Sequence, residues 1–471
     1  MTTVRDLRST SASRGTTVLP AMVLAVAGYQ VNATMLTPAL PDLMERLAVG
    51  SGLAGLAQTL FFLLAAVGQV TLTRMSDYWG RRRMLLATLS VLIVGEIVCA
   101  TAPNIGIFIA GRLIQGVSAA TFSLAYLIMH EFFSPARFGR ALGIVTATNG
   151  GIAGFDAVIG GSIADLVGFR GVFAISLVLS LIALWAVYRT VPETPIASRG
   201  TMDWRGVALL AAGLTGIVLG LNQSGKWGWD SPATLGLLLA GLILLVGFLL
   251  AQRHSRDAVI DVSTLASRGV WPLLLTTTFT LAAAFGLLNF TIPLLAQTPD
   301  AGFGMSATLS ALLFLTPASA LGLVVAPIAG HFAPRFGWRR SVLLGSVGTT
   351  AVLAVLAIGP TSMWLVGGVL ALLGITYTGY GLTTLTGLAV RNSPADKPGA
   401  LPGLNGACFG VGASMGIAVA SGAVTTFAAD GPTQLAFRAA LLTALGFGVL
   451  ALVSSLFIAK ESAEHQHSRA E

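Results

Sequence analysis

Thr73-Arg74-Met75-Ser76-Asp77-Tyr78-Trp79-Gly80-Arg81-Arg82-Arg83 packs four arginines around one aspartate and one glycine, between two long apolar runs. Charges this dense do not lie in hydrocarbon, so the stretch reads as a short aqueous loop between two membrane helices. A weaker copy, Gly330-His331-Phe332-Ala333-Pro334-Arg335-Phe336-Gly337-Trp338-Arg339-Arg340, recurs in the second half of the chain. Each copy follows an apolar run, sets a glycine in the turn and ends in arginines that open the next run. An internal repeat on this scale implies two related halves.

Composition agrees. The chain is 55% hydrophobic and 10% charged, with a mean hydropathy of +0.83, whereas soluble domains carry about 25% charged residues. So apolar a chain lacks the polar surface to cover a soluble core and reads as a polytopic membrane protein. The net charge of +8 resides at segment ends, where the positive-inside rule accounts for it, so no nucleic-acid partner is expected. Cys99 and Cys408 fall in apolar runs of opposite halves and form no disulfide framework. The first apolar run has no small-residue cleavage pattern and is read as an uncleaved helix.

Runs of spanning length fall at roughly 17–40, 52–73, 84–102, 106–129, 139–163, 171–190, 205–222 and 234–252. Six more follow at about 271–295, 307–330, 341–359, 363–389, 402–427 and 437–459. The expected fold is an all-α membrane protein of fourteen helices, two six-helix pseudo-repeat bundles with a two-helix insert between them. Its parts are an N-terminal tail (1–16), a first bundle (17–190), linker and insert (191–270), a second bundle (271–459) and a polar tail (460–471). With the N-terminus inside, 22 of the 27 basic residues fall on cytoplasmic segments, which places both termini in the cytoplasm of a cell bearing the protein in its plasma membrane. Between the insert helices, Asn222 to Asp230 reads as a loop whose Trp227 and Trp229 suit the interfacial aromatic belt.

Two six-helix halves, a central helix pair and the charged loop after the second helix resemble the major facilitator superfamily, and more narrowly its fourteen-helix drug:proton antiporters. In the loop, Asp77, Gly80, Arg81 and Arg82 match the family signature, while Thr73 replaces its leading glycine and Tyr78 its first basic residue. The resemblance implies that the four matching residues gate the rocking of the halves. The bland alternative is that the arginines only set topology, but Asp77 and Gly80 have no part in that.

Arg112, followed by Gln115 and Gly116, resembles the family's helix 4 motif, whose arginine is associated with proton transfer. Gln115 lies one turn on and is placed to share its partners. The alternative is that Arg112 snorkels to the near interface. Gly150 to Gly161 falls where antiporters carry a glycine-rich helix 5 motif, with Gly150 and Gly154 spaced for close helix approach. Its centre departs, Asp156 standing at the glycine position and Ala157 at the proline position, so the proline kink is missing. Phe169-Arg170 resembles the family's Trp-Arg entry to helix 6. On helix 1 the family's acidic position holds Asn32, an amide that does not titrate.

Asp156 and Glu96 are acids inside apolar helices, where the neutral, proton-carrying form is favoured. The expectation is that the coupling carboxylate has moved from helix 1 to Asp156, with Arg112 and Glu96 tuning it. A hydrated near-interface position for Glu96, and a structural hydrogen bond for Asp156, are the competing readings. A midplane cavity is expected from Tyr29, Gln30, Asn32, Gln58, Gln115, Asn149, Phe285, Asn289, Tyr377 and Tyr380, with only one of the two last tyrosines facing it. Helix 13, with Gly403, Gly406, Gly410, Gly412 and Gly416, resembles the family's closely packed glycine-rich helix.

No metal cluster, nucleophile–base set or nucleotide loop is visible, and adjacent His130 and Glu131 do not face each other on a helix. An enzyme or ATP-driven pump is therefore not expected, and neither is a cofactor; the proton gradient is the expected energy source. The expected function is alternating-access transport as a monomer, as proton-coupled efflux of drugs or amphiphilic compounds. The alternative is proton-coupled or facilitative transport of one specific, possibly anionic, metabolite.

Overall fold

The computed structural model describes residues 4–133, 135–193, 202–254, 262–358, 362–393, 400–428 and 433–459, with the side chains of 4–16 and of much of 135–154 outside that set. The polar tail at 460–471, parts of both linkers flanking the insert, and the close-approach positions Gly150 and Gly154 fall outside it. Among the described residues the chain is all helix. Thirteen of its helices are long and apolar enough to cross a membrane. In chain order they are α1 (Thr17–Arg46), α2 (Ser51–Trp79), α3 (Arg81–Thr101), α4 (Ile105–Phe132), α6 (Phe169–Thr190), α7 (Trp204–Trp227) and α8 (Pro232–His254). The second half adds α9 (Trp271–Gln297), α10 (Ala307–Phe336), α11 (Trp338–Ile358), α12 (Met363–Arg391), α13 (Leu401–Thr426) and α14 (Gln434–Leu456). Between α4 and α6 runs α5 (Pro135–Val167), a helix of 33 residues.

The charged stretch that opened the reading is not a loop. α2 continues through Asp77 to Trp79, and Gly80 alone, at φ 95°, separates it from α3. That backbone conformation is open to glycine and strained for other residues, so one residue turns the chain. Gly337 does the same at φ 92° between α10 and α11. The expected loop between the insert helices shrinks in the same way, because α7 runs on to Trp227 and breaks at Gly228. In each case apolar runs mark only what lies in hydrocarbon, while the helix extends into the interface.

Arginines staple matching helix pairs. Arg82 at the start of α3 donates to Tyr188 O at the end of α6 (2.8 Å), and Arg170 at the start of α6 donates to Ala102 O just beyond α3 (2.9 Å). In the second half Arg339 of α11 donates to Leu456 O of α14 (3.0 Å), and Arg438 of α14 to Ile358 O of α11 (2.8 Å). A guanidinium on a helix's last carbonyls fills acceptors that have no partner inside the helix.

Down the middle, α13 lies between α2 and α9. A Cβ at Gly416 would stand 2.1 Å from Ala282 O of α9, and one at Gly410 would stand 2.7 Å from Ala66 N of α2. Both contacts exist only because the residue is glycine. The insert docks through α7, which touches both α2 and α13 and places Asn222 Nδ2 2.8 Å from Ser421 Oγ. α8 packs on α7 and leaves Leu239, Leu242 and Ile243 exposed, as a face turned to acyl chains would be.

Three helices of the second half contain π-helical turns: Leu287–Thr291 in α9, Ala311–Leu315 in α10 and Gly374–Leu382 in α12. A threonine follows or closes each and donates to the carbonyl five residues back: Thr291 to Gly286 O, Thr316 to Ala311 O and Thr383 to Thr378 O.

Candidate functional site

The polar centre is organised by one turn of α1. Residues two apart on a helix point about 200° apart, so Asn32 and Thr34 serve opposite neighbours. Asn32 Nδ2 donates to Glu96 Oε1 of α3 (3.3 Å), and its Oδ1 accepts from Arg112 Nη1 of α4 (3.3 Å). Thr34 donates to Asp156 Oδ2 of α5 at 2.5 Å and to Gln30 O one turn back at 2.9 Å. The two acids therefore lie on different sides of α1, joined through it rather than to each other.

Arg112 is completely buried and does not snorkel. Its guanidinium donates to Gln115 Oε1 (2.8 Å), Gln58 Oε1 (2.7 Å) and Asn32 Oδ1, and lies 3.8 Å over the ring of Phe61. Among the described residues its partners are amides and a ring; no carboxylate reaches ion-pair distance. Gln115, expected to share the partners of Arg112, is itself one of them.

Glu96 is also fully buried, not hydrated from an interface. Its Oε1 accepts from Ser176 (2.6 Å), Ser180 (2.9 Å) and Asn32, while Oε2 is buried without a partner. Asp156 shows the same asymmetry, Oδ2 held by Thr34 and Oδ1 buried without a partner. A carboxylate oxygen buried without a protein partner is costly to leave bare.

Tyr29 and Gln30 are buried beside this centre, with Tyr29 stacked on Phe61 at 6.0 Å and edge-on to Phe122 at 5.5 Å. The aromatic series continues through Phe62 to Phe285 of the second half at 5.2 Å. Asn289 accepts from Thr37 across the same boundary at 3.0 Å. Of the two tyrosines on α12, Tyr377 is buried and Tyr380 half-buried, and neither is brought to the Arg112 cluster. The side chain of Asn149 lies outside the described residues.

The residues expected to gate make the following contacts within the first half. Asp77 bonds Arg74 at 3.0 Å and faces Arg81 at 3.8 Å. Arg81 pairs with Glu131 at the end of α4, Arg82 reaches Tyr188 O, and Arg83 pairs with Glu193 at 3.3 Å. Glu131, Ser176, Ser180, Phe61 and Phe62 were missed by the sequence reading. Ser176 and Ser180, one turn apart on an otherwise apolar helix, were the available signal for a buried polar partner.

The sequence pattern of the Major Facilitator Superfamily matches residues 22–417. The chain belongs to this superfamily of transporters. Among similar proteins, the uridine/deoxyuridine transporter of Lactococcus lactis subsp. cremoris is 34% identical over 84% of this chain and 85% of that protein. Quinolone resistance protein NorB of Staphylococcus aureus is 25% identical over 95% of this chain and 97% of its own length. Of solved structures, a mutant of the nucleoside transporter NupG superposes with a TM-score of 0.62 at 14% identity, covering 94% of this chain and all (100%) of that one. The Escherichia coli xylose transporter XylE gives 0.61 at 12% identity, with 95% and 97% covered. The fold is that of these transporters, and the chain is a multi-pass membrane transporter of a small molecule.

Proposed function

We propose that this transporter carries a small, uncharged, polar metabolite of the nucleoside class, coupled to protons, by alternating access between two six-helix bundles. In this reading α5 is the fourteenth span, the bundles occupy 17–190 and 271–459, and the insert occupies 191–270. The paired arginine staples and the two one-glycine turns support the two-bundle repeat. The side bearing Asp77 faces the cytoplasm of the plasma membrane, as the basic-residue count supports, and Asp77, Gly80, Arg81 and Arg82 brace the first bundle as it rocks.

The observation that carries the substrate class is the neutral amide setting of Arg112. Asn32, Gln58 and Gln115 all turn their oxygens to the guanidinium, which leaves the amide nitrogens of Gln58 and Gln115 buried without partners. Spare donors beside aromatic rings suit a ring carrying carbonyl oxygens, and the uridine/deoxyuridine transporter is a relative over most of its length. A lipophilic cation would instead meet a buried positive charge with no paired carboxylate. Efflux of amphiphilic drugs is the second reading, favoured by the aromatic series from Phe122 to Phe285 and by multidrug-exporting relatives at lower identity.

Coupling rests on Asp156 and Glu96, each with one oxygen placed to hold a proton, and on Arg112 as the fixed charge on the Asn32 side of α1. The test is uridine counterflow and proton movement in proteoliposomes, with lipophilic cations as competitors. Uridine exchange with substrate-dependent proton movement, unaffected by the cations, is the expected result. Cation-driven proton movement without uridine exchange would replace this reading with drug efflux.

A further inference from the structure

On the side away from Asp77, α10 begins at Ala307 with backbone N–H groups that its own turn cannot fill. Ser306 caps one of them locally, its hydroxyl accepting from Leu309 N at 3.2 Å. The next two are filled from the other half of the molecule. Asp165, near the end of α5, accepts from Ala307 N (3.1 Å) with Oδ1 and from Thr308 N (3.0 Å) with Oδ2. The Thr308 hydroxyl donates to the same Oδ2 at 2.5 Å. A carboxylate at this position also meets the positive end of the α10 dipole.

The backbone beside this cap is shaped to allow it. A Cβ at Gly161 would stand 2.8 Å from Ala307 O and 2.9 Å from Thr308 Cα, so α5 and α10 touch main chain to main chain one turn before Asp165. On the neighbouring position, a Cβ at Gly160 would lie 2.3 Å from Met35 O of α1. The far end of α5 is thus seated between α1 and α10, and Asp156, nine residues earlier on the same helix, is tied to α1 through Thr34. Asp42 offers a contrast, because its carboxylate caps Phe169 N (2.7 Å) inside the first half. Asp165 makes the same kind of cap across the two halves.

We propose that Asp165 is the latch of the far-side gate: its cap on α10 holds the two halves closed there, and opening toward that side requires the cap to break. The proposal rests on the rocking of two bundles put forward above. It adds the residue that sets how readily one side opens, and it ties that residue to the proton site through α5. Release of Thr34 by Asp156 removes the side-chain tie between α5 and α1 and lets α5 shift on its glycine contact, and the movement is delivered to Asp165.

The comparison of variants needs no substrate, and a wild-type control is run during turnover. In a background with Cys99 and Cys408 replaced by alanine, Ala311→Cys places a single thiol one turn into α10, where Ala311 is fully buried against Ala157 and Leu315. A membrane-impermeant maleimide is added from the far side and its labelling rate measured. Asp165→Ala should raise the rate about fivefold, the usual consequence of losing a helix cap. Thr308→Val, which keeps the backbone cap and removes only the hydroxyl contact, should raise it less, and serves where Asp165→Ala fails to reach the membrane. Unchanged rates in both variants, with labelling in wild type during turnover, would overturn the latch and leave rocking intact. A thiol at 311 that never labels from the far side while substrate is carried would overturn both.

Discussion

The two halves differ in what they bury. In the first, Glu96, Arg112 and Asp156 are enclosed, and among the described residues they are the only charged side chains that are. The second half buries hydroxyls and amides, among them Thr276, Thr277, Asn289 and Asn405, and it alone among the described residues holds π-helical turns. A π turn interrupts the regular ladder and leaves the helix locally easier to reshape, and such turns gather at functional sites. Under the proposed function, proton and charge chemistry fall to one bundle and conformational adaptation to the other.

The largest expected effect comes from breaking the charged side. Arg112→Ala leaves the Asn32, Gln58 and Gln115 oxygens buried without their shared donor, at about 1–3 kcal/mol for each group left unsatisfied. Counterflow should fall by about 100-fold or more, and Arg112→Lys should not restore it, because an ammonium cannot span the amides as the guanidinium fork does. Asn289→Ala, the matching truncation in the second half, removes one neutral hydrogen bond and should stay within about tenfold of wild type. Equal losses in the two would erase the distinction.

Next in size is a qualitative loss. Asp156→Asn and Glu96→Gln keep the shape and most hydrogen bonds but cannot carry a proton. Substrate-linked proton movement should vanish in at least the Asp156 variant while counterflow persists. Transport driven by a pH gradient should lose its dependence on the gradient. Proton movement that survives in both variants would move coupling out of the first half.

How much of this was legible follows from the range of each contact. Thirteen of the spans and the Arg112–Gln115 pair are local, set by runs of apolar residues or by neighbours one helical turn apart, and sequence periodicity records them, whereas the one-glycine turns read as loops. The bridge from Glu96 to Arg112 is not local, since Asn32 lies 64 residues from the first and 80 from the second. In the sequence Asn32 reads as a vacant acid and a cavity-lining amide; in the fold it is the amide that keeps the acid and the base apart. Asp165 escaped notice because an aspartate at a helix end reads as an ordinary interfacial residue. Its partner is a backbone, which leaves no mark in any side-chain pattern.

A smaller effect tests the packing within the second half. Gly416→Val forces a side chain into the α9 backbone at Ala282, and overpacking of this kind costs about 1–3 kcal/mol. The purified protein should unfold at a temperature several degrees lower. The same change at Gly446, where a Cβ meets nothing within 4 Å, should leave it unmoved.

The smallest effect is the one that speaks to the π turns themselves. Thr291→Val keeps the branched shape in α9 and removes the hydroxyl that donates to Gly286 O at 3.0 Å. A single neutral hydrogen bond contributes about 1 kcal/mol, and the carbonyl left behind is buried. If the turn is only a packing accident, the variant should lose about that much thermal stability with an unchanged apparent KM. If the π turn helps α9 reshape around substrate, stability should fall by the same amount while the KM or the turnover rate shifts about threefold or more. The proton stoichiometry should hold in either case, because among the described residues the second half buries no charged side chain. A change in stoichiometry from Thr291→Val would mean that the division between the halves is not one of chemistry against movement, and that Asn289, two residues away and bonded to Thr37, reports to the proton site as well.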